Sequence, residues 1–209
     1  MRHSPLRTHL ELERAFKSEA VQEALPQIFE EATRGNAEDI GRFRTDLIFG
    51  EPGGRVIEGS LIHLDAPHGV SLAFSDVLMC YATFYFPSAD LARNLLIEQI
   101  QGVKLVRVRD AMAPRDFRAL RKAFGRLAWE DLLVRLIIEI GRQLPAVQRV
   151  SIAAAQMSNF LICAPGSPEA AHMEARLERF SHRYDRTAER LGFKRINAWE
   201  HSLDLLPSR

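Results

Sequence analysis

At 209 residues, with 46% hydrophobic and 26% charged residues and a formal net charge of +1, the chain is long enough for one domain with a full core. Its longest apolar run, Val77 to Phe86, is about half of the ~20 residues a membrane helix needs, and no apolar stretch follows the charged start at Met1-Arg2-His3, so neither a membrane span nor a secretory signal is expected. Cys80 and Cys163 are too few for a disulfide framework and lie in apolar segments; they read as small buried residues of a protein in a reducing, cytoplasmic setting.

The first elements are helical. Leu10, Leu12, Phe16, Val21 and Leu25 recur at near-helical spacing over residues 9–33, with Pro26 expected to break that run or restart it. Gly35-Asn36 closes the unit, and Ala37 to Phe43 adds a further helical turn. From Leu47 the pattern changes: Glu51-Pro52-Gly53-Gly54 is a turn, Val56 to Leu64 alternates as a strand, Ala66-Pro67-His68-Gly69 turns again, and Val70 to Phe74 is extended. Val77 to Phe86 is apolar on both faces, the signature of a central strand covered on both sides.

Asp90 to Asn94 leaves a helical turn open, but Leu95 to Ile100 before Gly102 reads as another inner strand. Residues 115–124 form a basic helix and Trp129 to Leu144 an apolar one ended by Pro145. Arg149 to Ala155 is a buried strand; Pro165-Gly166-Ser167-Pro168 leads into a long polar helix over 167–191, which closes on Leu191-Gly192-Phe193 and hands over to a hairpin over Lys194 to Leu206. Strands alternating with helices in the second half point to a mixed α/β sheet. One domain spanning 1–209 is expected, with residues 1–44 as an N-terminal helical segment and 45–209 as sheet and helices.

Four places carry candidate chemistry. Glu98, on the strand face shared with Leu96 and Ile100, would be a carboxylate in apolar surroundings, where desolvation raises its pKa into the range of a general base; a strand-end Glu paired with an arginine is the plainer alternative. Lys122, Gly125 and Arg126 precede the helix that opens at Trp129, and a helix N-terminus offers free N–H groups to a phosphate. Against this, Glu130 and Asp131 in the first turn satisfy the dipole themselves, and a glycine-rich loop is missing.

The third is a basic run. Residues 104–126 hold eight Lys or Arg against Asp110 and Asp116, and Arg115, Arg118 and Arg121 share one helical face. That face suits an acidic carrier protein, or nucleic acid or an anionic membrane, or it is a solvated surface; the lack of interleaved aromatics weakens the nucleic-acid reading. The fourth is Ser158-Asn159 beyond the strand 149–155, either polar groups at the carboxyl edge of the sheet or a turn cap. His63, His68, His172, His182 and His201 lack metal-ligand spacing, and no Gly-x-Ser-x-Gly elbow occurs, so neither a metal site nor a serine hydrolase is expected.

Two resemblances follow from these residues. The run from Phe124 to Leu136, then Val150-Ser-Ile-Ala-Ala-Ala, then Arg183-Tyr-Asp through Leu191-Gly-Phe, together with Glu58-Gly59-Ser60-Leu61 and Glu98-Gln99-Ile100-Gln101-Gly102, resembles the VirK-type bacterial proteins over about residues 55–206. That family is linked to virulence and envelope stress and has no settled reaction; the resemblance implies a binding or regulatory protein that need not be catalytic.

In element order and in the Leu191-Gly192-Phe193 ending, the chain is also similar to the GNAT acyltransferases. This implies a largely antiparallel mixed sheet of six or seven strands, acyl transfer, and acyl-CoA or an acyl carrier protein as donor. The family's Arg/Gln-x-x-Gly-x-Gly/Ala diphosphate turn is incomplete: after Arg121 there is Gly125 but no second glycine, and Ala128 is followed by the bulky Trp129. The family tyrosine expected before Leu-Gly-Phe is replaced by Thr187 or Ala188.

Overall fold

A computed structural model of the chain describes residues 5–33, 40–50, 64–87, 94–125, 127–155 and 173–205. It is a mixed α/β protein. Seven strands form one sheet in the order β1-β2-β3-β4-β5-β7-β6: β1 (Phe43–Phe49), β2 (His68–Phe74), β3 (Val77–Tyr85), β4 (Asn94–Gly102), β5 (Arg149–Ala153), β6 (Lys194–Arg195) and β7 (Glu200–Asp204). Every neighbouring pair is antiparallel except β4 and β5, which run parallel at the centre.

Two helices, α1 (Pro5–Phe16) and α2 (Glu19–Thr33), precede the sheet; α3 (Leu105–Asp110), α4 (Pro114–Phe124) and α5 (Trp129–Arg142) fill the connection from β4 to β5, and α6 (Met173–Arg183) and α7 (Asp185–Arg190) follow β5. No described helix is long and apolar enough to cross a membrane. The core lies between α5, α2 and one face of the sheet. On α5, Leu132, Leu133, Leu136, Ile137 and Ile140 are fully buried, each contributing about 1.5–3 kcal/mol relative to exposure. They meet Val70, Leu72, Cys80, Ala82, Phe84, Ile97, Ile100, Val150 and Ile152 in one cluster.

The opposite face of the sheet is also buried but polar in part. Ile48, Leu64 and Tyr81 form a small apolar group there, beside buried Ser71, Thr83, Gln99, Ser151 and Ser202. The β2–β3 hairpin turns through Ser75 and Asp76, both with positive φ (47° and 66°), the geometry that matches strand twist. Arg42 donates to the Ser75 hydroxyl and Arg44 to Asp76, fixing these two residues in a conformation more often taken by glycine.

Several sequence expectations are corrected. Pro26 neither breaks nor restarts a helix: α2 runs through it, because the buried face of Val21, Ile28, Phe29 and Ala32 holds the helix against α5 despite the lost backbone bond. Phe43 to Phe49 is a strand rather than the end of a helical turn; Ile40–Arg42 before it is a short 3-10 segment, and residues 37–39 of the expected turn lie outside the described residues. The long polar helix is two helices separated at Tyr184. The strand expected over Val56 to Leu64 falls largely outside the described residues, and Leu64 itself is in no strand.

Candidate functional site

The central parallel pair is short. β4 and β5 stay in register from Asn94↔Arg149 to Ile97↔Ile152 and then part, so β4 continues from Glu98 to Gly102 without a strand partner on that side. A fork between parallel strands, opening at their carboxyl ends, leaves backbone groups to be satisfied by something other than the sheet.

Glu98 stands where the fork begins. It is the extra residue of a β-bulge: Thr83 pairs with Gln99 and Phe84 with Ile97, leaving Glu98 without a partner on β3. The bulge overturns the expected face assignment. Simple alternation placed Glu98 beside Leu96 and Ile100, whereas Ile97 and Ile100 both enter the helix-covered core and Gln99 is buried on the other face next to Thr83. Glu98 itself is half-buried, and its carboxyl is held above the ordinary value, first by burial and then by repulsion from Asp65. Tyr85 feels the Glu98 and Glu200 charges, and its phenol is raised by burial first.

The helical pair α6–α7 closes the fork from the core side. The Tyr184 hydroxyl accepts from the Ile100 amide at 2.9 Å, and Arg183 reaches the Ile100 carbonyl at 3.4 Å. The next residue, Asp185, accepts from the Ala155 amide just past β5 and lies 3.0 Å from His201 Nε2 on β7. Two consecutive residues therefore staple the diverging strands, one to β4 and the other to β5 and β7. Tyr184 is almost fully buried and its phenol is pushed up to about 12 by burial, so it stays protonated at neutral pH. The sequence marks Arg183 and Tyr184 only as part of the VirK-type resemblance and gives them no role at a site, because 167–191 reads as one polar helix.

Arg183 also lies over the Trp129 ring, 5.5 Å from its centroid, and Phe124 stacks on Trp129. Trp129 covers Gly102 closely: a Cβ there would lie 3.7 Å from the indole. These contacts place the first turn of α5 at the open end of β4. That turn is already occupied as an anion site. The Glu130 carboxylate takes a hydrogen bond from its own backbone amide, and Asp131 is gripped by Arg190 at 2.6 Å. Burial raises the Glu130 carboxyl, while its own amide and then Arg183 draw it back down.

Of the other expected cradle residues, only Lys122 and Gly125 fall among the described residues. Lys122 is exposed on α4, and Gly125 is an ordinary right-handed cap of α4 (φ −66°, ψ −12°), which needs no glycine for its conformation. Arg126, Ser158 and Asn159 lie outside the described residues. Two carboxylates, Glu130 and Asp131, stand in the first turn of α5, where the charge of a nucleotide diphosphate would go.

Arg115, Arg118 and Arg121 share the outer face of α4 and are exposed, and no ion pair joins them to a described residue. The apolar side of α4, with Phe117, Leu120 and Phe124, packs on the core. Asp116, the one acid of the helix, is turned away to Arg42 at 2.6 Å. Among the described residues no group of three or more His, Cys, Asp or Glu could hold a metal ion.

No protein-family model matches this chain, and neither a curated protein nor a solved structure matches it.

Proposed function

We propose that the chain is an acyltransferase on a GNAT-like sheet, moving an acyl group from a thioester donor to a nucleophilic acceptor at the β4–β5 fork. The observation that carries this reading is the coincidence of Glu98, bulged out of the ladder with a raised pKa, with the opening of the central parallel pair. Glu98 takes the proton from the acceptor amine or hydroxyl as that group attacks the thioester carbonyl carbon. The carbon–sulfur bond then breaks, and Glu98 returns the proton to the departing sulfur, which leaves as the thiol. A general base of this kind contributes about 10²–10⁴-fold to rate. The carboxylates at the first turn of α5 favour a donor whose thioester arm hangs from an acyl carrier protein over free acyl-CoA.

The test is thiol release and acyl transfer with a panel of acyl-carrier-protein and acyl-CoA donors, using the native protein and Glu98→Gln. Transfer that falls about 10²-fold or more in the variant supports the reading. An absence of thiol release with every donor, or equal rates in the two proteins, overturns it.

A second reading, a VirK-like binding or regulatory protein without catalysis, is favoured by Tyr184 and Arg183, which already occupy the Ile100 amide and carbonyl inside the fork. Under it, Glu98→Gln leaves cellular function intact.

A further inference from the structure

The α3–α4 surface combines two features that the fork does not use. Its charge is one-sided: Lys104, Arg107, Arg115, Arg118 and Arg121 are exposed and no described acid pairs with them, while Asp110 is engaged by Arg109 and Asp116 by Arg42. Its aliphatic groups are turned outward. Leu105 and Val106 are 54% and 50% exposed on a helix whose one buried residue is Val108. Lys104 and Arg107 bracket this pair directly. A six-residue helix that exposes adjacent Leu and Val between cations is not spending them on the core.

We infer that the α3–α4 face docks on an anionic lipid bilayer, with Leu105 and Val106 entering the headgroup boundary and the arginines on lipid phosphates. Charge complementarity supplies the attraction: clustered Lys and Arg are drawn to the negative surface of a membrane, and guanidinium forks match phosphate oxygens. The aliphatic pair distinguishes this occupant from an acidic protein. Two isolated side chains are too few to form the dry centre of a protein interface, but they suffice to enter the interfacial zone beside basic residues. Phosphates that move freely in the plane of the bilayer can gather under cations spaced along two helices. The absence of a membrane-crossing helix among the described residues is consistent with a protein that lies on the surface. Because only two residues separate the end of β4 from the start of α3, the docked surface lies at the same end of the sheet as the fork. The inference does not depend on acyl transfer.

The experiment is co-sedimentation of the full chain with neutral phosphatidylcholine vesicles and with vesicles containing about one-third phosphatidylglycerol. Binding is expected to the anionic vesicles alone and to weaken in 0.5 M salt, in line with a screening length of only a few ångströms near 1 M. Arg118→Glu with Arg121→Glu should lower the bound fraction at least tenfold. The control pair Arg14→Glu with Lys17→Glu makes the same change in net charge at exposed positions at the end of α1 and just past it and should leave binding within twofold. Leu105→Ser with Val106→Ser should lower binding severalfold and leave the salt dependence in place. Circular dichroism confirms that each variant is folded. No preference for anionic vesicles, equal losses in the α4 and α1 charge variants, no loss in the aliphatic pair, or salt-sensitive capture of an acidic carrier protein in place of vesicles would each overturn the proposal.

Discussion

The Tyr184 hydroxyl occupies the position that a continued β5 strand would have filled, accepting the Ile100 amide at 2.9 Å. Beyond Ile152 the neighbouring amides turn elsewhere, Ala154 to the Trp199 carbonyl and Ala155 to Asp185. The fork is thus held open with the Ile100, Ala154 and Ala155 amides each given an acceptor. Tyr184→Phe keeps the ring against Phe180 but leaves a buried amide without its acceptor. Such an orphan costs about 1–3 kcal/mol. Urea unfolding should show a lower midpoint at unchanged slope; an unaltered midpoint would mean that the Ile100 amide finds another acceptor.

Glu98 yields a pH signature independent of any substrate. Its folded pKa is raised, by burial before Asp65, so the protonated form is the one the fold prefers. The stability this contributes is complete below the ordinary carboxyl value near 4.5 and is lost as pH rises through the folded value. Glu98→Gln imitates the protonated acid at every pH. The variant should match the native protein in acid and be the more stable of the two at neutral pH, a difference that thermal unfolding at pH 4 and pH 7.5 will detect. A native protein that is the more stable at pH 7.5 would contradict the raised value and weaken the case for a base at this position.

His68 behaves in the opposite sense. It lies among Phe49, Phe84, Phe86 and the His9 ring, its Nδ1 has no hydrogen-bond partner among the described residues, and its pKa is lowered from 6.5 to about 4 by burial first and by His9 second. The fold therefore prefers the neutral ring. The associated stability is fully present above pH 6.5 and is lost as pH falls from there toward 4, by roughly 3 kcal/mol when complete. His68→Leu removes this proton uptake, so its stability profile between pH 6.5 and 4.5 should be flatter than that of the native protein.

What the chain reveals by pattern alone divides along physical lines. The doubly apolar run at Val77–Tyr85 announces a central strand, and the aliphatic spacing of Trp129–Arg142 announces the helix that covers it. Both signals come from burial, which writes itself into residue type. Phe43–Phe49 alternates Phe, Thr, Leu and Phe with Arg, Asp and Ile, a strand signal that went unread because the preceding segment suggested a helix. The bulge at Glu98 leaves no compositional mark: it adds one unpaired residue to a strand, and only the partner register shows which side chains change face. The part Tyr184 plays at the fork is hidden for a similar reason. Its role depends on an amide 84 positions away in sequence, a relation that no local window contains.

Gly69 carries the sharpest packing prediction. It lies in β2 opposite Thr83, with both residues buried, and its φ is not positive, so backbone conformation alone would permit alanine. The obstacle is space. A Cβ at this position would stand 2.7 Å from the Ala82 carbonyl oxygen and 3.3 Å from the Thr83 methyl. The carbonyl is backbone of a central strand and cannot swing aside as a side-chain end would, so β2 and β3 must move apart at a point where they are paired on both sides. Overpacking of this kind costs about 1–3 kcal/mol, and a clash with backbone belongs at the upper end. Gly69→Ala should lower the unfolding midpoint clearly, while Gly41→Ala, where nothing lies within 4 Å of the added carbon, should change it little. Equal effects at the two positions would show that the β2–β3 ladder yields more readily than its pairing implies.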